Sequence, residues 1–213
     1  EAAVSERLDQ FREAELRGLV TQAELRALQA QIHPHFLFNA LNALYGSIPR
    51  EASAARRTVL NLSDIFRYFL QDVRSTIPLE REFEIVRAYL EIESLRFGPN
   101  LSIDLDIDDS VRGAAIPILS VQPLVENAVK HGVAALPAGG SVRVRAGLED
   151  GRLAVRVFDS GPGFGQSAAT GNNLGLENVR QRLRLCFGES AVLEIGRLEG
   201  ETVVGFTAPY TLP

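Results

Sequence analysis

Residues 141–165 read SVRVRAGLEDGRLAVRVFDSGPGFG. Apolar and polar side chains alternate through 141–148 and again through 152–158, the period of two half-buried strands. Glu149, Asp150 and Gly151 between them supply a hairpin turn. The second strand runs directly into Asp159, Gly161 and Gly163. Glycines there permit close backbone approaches that a Cβ would block. An Asp at the end of a strand is common without any role, so the neighbours have to decide its meaning.

Working outward, 101–107 (LSIDLDI), 192–196 and 202–208 read as further strands. A helix is expected over Leu79–Phe97, after Pro78 and stopped by Gly98-Pro99. A second carries Leu119, Leu124, Val125 and Val129, and a third spans about 176–187. Runs of helix alternating with hairpin strands predict an α+β sandwich, with one mostly antiparallel sheet and helices on one face.

Upstream the pattern is wholly helical. Residues 31–44 read QIHPHFLFNALNAL, a helix expected to continue past Pro34 to about Tyr45 with a kink, because Pro34 frees the carbonyl of Ala30. Gly46, Ser47 and Pro49 form a turn. A helix over 52–73 then carries Val59, Leu62, Ile65, Phe66, Phe69 and Val73 on one face. Such a helical hairpin exposes an apolar face, which a dimeric four-helix bundle would cover. Before it, Val4, Leu8, Phe11, Leu16, Val20, Leu25, Leu28 and Ile32 mark an irregular seam whose heptad fails near Glu15 and Gly18. That seam reads as an incoming signalling helix of a dimer. The expected domains are 1–76, the helical region, and 77–213.

The chain has 213 residues, 46% hydrophobic and 23% charged, with a formal net charge of −5. This composition suits an ordered protein of one or two domains and opposes a basic nucleic-acid footprint. A single cysteine, Cys186, excludes an internal disulfide and a cysteine-based zinc site; it is expected in the core as a small apolar residue and suits a reducing cytoplasm. No apolar run approaches the ~18 residues that span a bilayer, and no signal-peptide core opens the chain. The complete lack of methionine predicts a piece of a longer product whose upstream part is missing.

Candidate chemistry lies in three places. Imidazole, with an ordinary pKa of about 6.5, has a free lone pair near neutrality, so His35 is the candidate nucleophile. His33, two positions away, faces elsewhere on a helix. Gln31 and Asn39 flank His35 at i−4 and i+4, where their amides can fix the ring tautomer. In residues 123–132, PLVENAVKHG, the Asn127 amide oxygen suits Mg²⁺. Lys130 and His131 follow at i+3 and i+4, either to meet phosphates or simply to end and solvate a helix. Gly161, Gly163, Gly171 and Gly175 line a glycine-rich stretch, and Leu176 opens a helix whose N–H groups favour phosphate. Residues 161–174 contain few large apolar side chains and are expected to form a mobile lid that orders on phosphate binding.

The order HPHF, then PLVENAVKHG, then DSGPGFG and NNLGLENVRQRL resembles the LytS-type sensor histidine kinases, whose ATP-binding half belongs to the Bergerat (GHKL) superfamily. The resemblance runs from about Leu25 to the C-terminus, and 89–97 (YLEIESLRF) shares it. It implies a Bergerat-type α/β sandwich that takes ATP and Mg²⁺. His35, between Pro and Phe, would carry the phosphoryl group, Asn127 would bind Mg²⁺, and Asp159 would accept from the adenine exocyclic amine. It further implies a homodimer through the helical region and transfer to an aspartate on a response regulator, often of LytTR type. The docking surface would lie just after His35 and on 52–73. The chain would be a cytoplasmic fragment at the inner face of the plasma membrane, touching it only through the missing upstream segment. Nucleic acid is not an expected partner.

Three positions depart from the superfamily's patterns. Asn173 stands where the middle glycine of Gly-x-Gly-x-Gly is expected, and Asn tolerates αL better than most residues. Pro123 stands where water-activating relatives place a carboxylate, and Glu126 points about 100° away on a helix. Phe36 stands where many histidine kinases carry an acid. No obvious general base remains, which disfavours ATP hydrolysis by water. Glu91, Glu93 and Arg96 are expected to form i,i+3 pairs on a solvated face. Two other readings share these residues: an anti-sigma-type protein-serine kinase, which lacks the His35 helix, and a catalytically decayed dimeric signalling module.

Overall fold

The computed structural model describes residues 34–70, 76–163 and 174–212. The chain forms two compact units, Glu1–Ala52 and Ser53–Pro213. In the first, helix α1 (Pro34–Ser47) buries Leu41 and leaves His35 and Phe36 exposed. The incoming helix, His33, Gln31 and the Pro34 kink lie outside the described residues.

The second unit opens with helix α2 (Ser53–Phe69), shorter than the expected 52–73, whose end falls outside the described residues. Helix α3 (Leu79–Phe97) has the expected bounds: strand-forming Pro78 precedes it, and the Gly98 N–H closes on the Ser94 carbonyl. Ile65 and Tyr68 of α2 share an apolar cluster with Ile85, Ile118 and Leu119, and Asn61 donates to Glu91 at 2.8 Å. This packing of α2 on α3 is why the division falls at residue 52 rather than at the 76–77 boundary expected from sequence.

Five strands make the main sheet: β2 (Leu101–Ile107), β4 (Gly140–Glu149), β5 (Arg152–Asp159), β6 (Val192–Leu198) and β7 (Glu201–Pro209), in the order β2-β4-β5-β7-β6. Among the described residues only β2 and β4 pair in parallel, so the sheet is mostly antiparallel, as expected. Asp150 and Gly151 turn the β4–β5 hairpin with φ of 50° and 75°, the positive pair that a two-residue Asp-Gly loop provides. The strands β1 (Thr76–Pro78) and β3 (Ala115–Pro117) form a separate antiparallel pair that periodicity did not reveal, being too short to show alternation.

The alternation is read out face by face. Val142, Val144, Leu153, Val155, Val157, Val204 and Phe206 are buried in one core with Val86 and Leu90 of α3 and with Leu124, Val125, Val129, Val179 and Leu183 from the helices that follow. On the opposite face Arg143 pairs with Glu201, Arg145 with Asp104, and Arg156 with Glu149 and Glu194. Cross-strand pairs of opposite charge suit a solvated sheet face.

Helix α4 (Gln122–Asn127) passes into a π-helical turn, Ala128–Gly132. Leu119, expected within this helix, lies before it at φ 60°. Helix α5 (Leu174–Phe187) runs slightly longer than expected. Cys186 is exposed, not in the core. Leu176, Val179 and Leu183 set the buried stripe of α5, and Phe187, four residues on from Leu183, packs against the core in its place. The Glu93–Arg96 pair forms at 2.7 Å, but the Glu93 side chain is only 15% exposed, so its face is less solvated than expected. Glu91 instead accepts from Asn61.

Candidate nucleotide site and acceptor helix

In the second unit the turn after β5 and the π-helical turn after α4 meet backbone to backbone. A Cβ on Gly161 would lie 2.4 Å from Gly132 Cα, and one on Gly132 would lie 2.4 Å from Asp159 Oδ1. Both positions therefore exclude any side chain. The sequence singled out Gly161; Gly132, the last residue of PLVENAVKHG, was passed over although a glycine closing that motif was its signal.

Asp159 ends β5 and is 5% exposed. Its Oδ1 accepts the Gly161 N–H at 2.9 Å. Burial pushes the carboxyl above the usual range, opposed first by the Gly161 N–H. Thr202 faces Asp159 across the β5–β7 ladder, and its buried Oγ1 has no hydrogen-bond partner. A buried hydroxyl left unmatched beside an inward carboxylate fits a polar ligand edge arriving from outside. Arg197 donates to the carbonyls of Pro162 and Gly200 at 2.9 and 2.8 Å, tying the β6–β7 hairpin to the turn after Asp159. Gly163 follows in that turn at φ 94°.

Asn127 is half-buried at the end of α4, and a Cβ on Gly175 would sit 3.7 Å from its Nδ2. The amide thus faces the first turn of α5. Lys130 is exposed and His131 half-buried. Both lie in the π turn, whose wider winding displaces them from the α-helical face expected for i+3 and i+4. Glu126 is exposed, turned differently from Asn127. Leu176 is 3% exposed within the core, so its contribution to a ligand is through its backbone. Gly171 and Asn173, with most of the expected lid, lie outside the described residues. A groove between α2 and α3, lined by Arg57, Thr58, Asn61, Glu91 and Ser94 among others, shares no residue with this site.

In the first unit His35 is exposed on α1, and the Asn39 side-chain amide meets its Nδ1 at 3.1 Å. Amide orientation and ring tautomer are linked. As placed, the Asn39 Nδ2 lies against Nδ1 and donates to it; turning the amide end for end presents Oδ1 instead, with Nδ1–H donated and the Nε2 lone pair free. Phe36 beside it is 75% exposed.

A family model described as histidine kinase matches residues 23–101. The sensor histidine kinase YpdA of Escherichia coli K12 is 38% identical over 215 residues, covering 97% of this chain and 38% of that protein. The sensor protein LytS of Oceanobacillus iheyensis is 31% identical, again over 97% of this chain and 38% of its own length. The chain therefore spans well under half of these relatives. Among solved structures, the histidine kinase domain of the Erythrobacter litoralis blue-light activated histidine kinase matches with a TM-score of 0.51 at 21% identity, over 83% of this chain and 96% of that one. The catalytic domain of the histidine kinase ThkA matches with a TM-score of 0.51 at 17% identity, over 64% and 95%; at these identities both report the fold. The sequence identities, extending over nearly the whole chain, place it in a family: it belongs to the LytS-type sensor histidine kinases.

Proposed function

We propose that the chain is the kinase core of a two-component sensor, using Mg²⁺–ATP to phosphorylate His35 and passing the group to a response-regulator aspartate. The observation that carries this reading is the meeting of two motifs distant in sequence: Gly132 and Gly161 in backbone contact around Asp159, with Asn127 facing Gly175. Asp159 accepts from the adenine amine. The N–H groups at the start of α5, at Gly175 and Leu176 after Gly171 and Asn173, favour the phosphates, with the Lys130 ammonium adding positive charge and the His131 imidazole beside it. Among the described residues no three His, Cys, Asp or Glu side chains gather as a metal site. A magnesium ion would take the Asn127 oxygen together with phosphate and water oxygens, the ligands it prefers, and would neutralise charge on the transferred group.

His35 Nε2 forms the new bond to the γ-phosphorus while the bond from that phosphorus to the ADP oxygen breaks, and ADP leaves with the electron pair. Turned so that Oδ1 faces the ring, the Asn39 amide would hold the proton on Nδ1 and leave Nε2 free to attack, so no acid at Phe36 or Pro123 is required for the attack itself. The rest follows the family: a homodimer through the helical region, a response regulator, of LytTR type in many relatives, docking after His35 and along α2, and a cytoplasmic position beneath a membrane anchor supplied from outside this segment. Functionally, 1–76 carries the acceptor and 77–213 the nucleotide. Among the described residues no helix is long and apolar enough to cross a membrane.

Radiolabelled γ-phosphate tests the reading. An acid-labile label retained in His33→Gln and lost in His35→Gln is the expected result. An acid-stable label would indicate a serine kinase instead, and no label, with intact nucleotide binding, a decayed signalling module.

A further inference from the structure

Glu82 of α3 is fully buried, yet nothing in the reaction above uses it. Its carboxylate collects four consecutive backbone N–H groups. Leu119 and Ser120 donate to Oε1, at 2.5 and 3.3 Å, and Val121 and Gln122 donate to Oε2, at 2.9 and 3.2 Å. These are the N–H groups at and before the start of α4, which has no side-chain cap of its own and would otherwise leave them unmatched in the interior. A carboxylate from another helix thus does the work of a cap.

The same peptide is held from two further sides. The Leu119 N–H also reaches Tyr68 Oη of α2 at 3.0 Å, and the Leu119 carbonyl accepts from Arg182 of α5 at 3.0 Å. Leu119 itself is at φ 60°, a conformation costly for a branched side chain and held only because its surroundings dictate it. From Gln122 to Asn127 the helix is six residues long, about 9 Å at 1.5 Å per residue, and too short to bend. Arg182 lies two turns along α5 from Gly175, the residue that Asn127 faces.

We propose that Glu82 is a positioning residue for the Mg²⁺–nucleotide site: by fixing the Leu119–Gln122 peptides it sets Asn127 on α4 against the first turn of α5. Through Tyr68 it makes that placement sensitive to α2. The inference rests on the reading of Asn127 as the magnesium ligand and adds the device that aims it.

Glu82→Gln is the direct test in the full 213-residue chain. It substitutes an NH₂ donor for one acceptor oxygen facing two N–H groups. Calorimetry is run with ADP in Mg²⁺ and with ADP in EDTA. Removal of a group that orients a metal ligand commonly costs about 10–100-fold, so Mg²⁺–ADP affinity should fall about tenfold or more while metal-free ADP binding stays within about twofold. Equal losses in both forms, or none, would mean that Glu82 only holds the fold, and the proposal would be wrong. Should Glu82→Gln fail to fold, Tyr68→Phe carries the test, because Leu119 keeps its Glu82 bonds. There a Mg²⁺-selective loss of about twofold to fivefold is expected, and an unchanged ratio overturns the proposal. Asn127→Ala separates the two claims. If it leaves Mg²⁺ dependence intact, the metal assignment has failed. If it removes that dependence while the Glu82 and Tyr68 variants do not, only the positioning role has failed.

Discussion

His35 and Asp159 stand in opposite surroundings. His35 lies on an exposed helix face, with one amide touching its ring and a bare Phe36 beside it. Asp159 is 5% exposed, set against two glycines that leave no room for a methyl group. Under the proposed function the difference follows from what each end of a phosphoryl transfer requires. A nucleotide site gains by being rigid before the ligand arrives, since preorganised donors and acceptors cost nothing to align during the reaction. An acceptor serves two visitors in succession, the γ-phosphate and then the response regulator, so it has to remain reachable. There the Asn39 amide bears on the imidazole while the ring stays exposed.

The largest effect that tests this contrast is loss of the proposed nucleophile. His35→Gln should abolish histidine labelling while leaving ATP affinity unchanged in calorimetry, because the acceptor is no part of the pocket. A parallel fall in nucleotide binding would mean that the two regions are not separable.

The next concerns the buried region alone. Burial outweighs the four N–H bonds and pushes the Glu82 carboxyl up to about 7 from an ordinary 4.5. The Arg182 guanidinium of α5 interacts with it, and its charge opposes protonation of Glu82, while Tyr68 Oη of α2 shares the Leu119 N–H with it. The folded state therefore holds the proton more tightly than the unfolded chain. Its contribution to stability is full below pH 4.5 and is lost as pH rises through 7, a change on the order of 3 kcal/mol. Denaturant midpoints should fall between pH 5 and about 8, and Glu82→Gln should flatten that slope. An unchanged slope in the variant would show that other groups set it.

Asp159→Asn should cost about 1.5–3 kcal/mol of ATP affinity, the range for a hydrogen bond to a charged group. Unaltered binding would remove adenine from this pocket. Asn39→Ala should lower the labelling rate by roughly tenfold through loss of tautomer control, within the range of positioned acid–base groups, and Asn39→Asp should retain most activity. A rate untouched by Asn39→Ala would leave the imidazole unaided on its helix.

What the sequence disclosed followed the range of the interaction. Pro78 and Gly98 bracket α3, Asp150-Gly151 makes its own turn, and alternation placed β4 and β5, all within a few residues. Asp159 and Gly161 were legible because a motif joins them. Glu82 was not: a Glu in a helix beginning LEREFE looks like a solvated charge, and its donors lie 37–40 residues downstream. Thr202 was hidden for the same reason, its meaning being given by a strand that only the fold brings near, whereas Gly132 closed a motif and could have been read from it. Cys186 shows the converse, a residue at an acceptable helical spacing displaced by the larger Phe187.

The parallel pairing of β2 with β4 sets the order in which the protein can assemble. It joins residue 101 to residue 140, whereas the β4–β5 hairpin closes over a two-residue loop. Local hairpins form within microseconds, and long-range pairing waits on the entropy of closing the intervening chain. That intervening chain contains the Leu119 peptide and all of α4. Completion of the sheet and seating of α4 are then one late event during refolding, and amides of β2 and α4 should gain protection together, after those of β4 and β5.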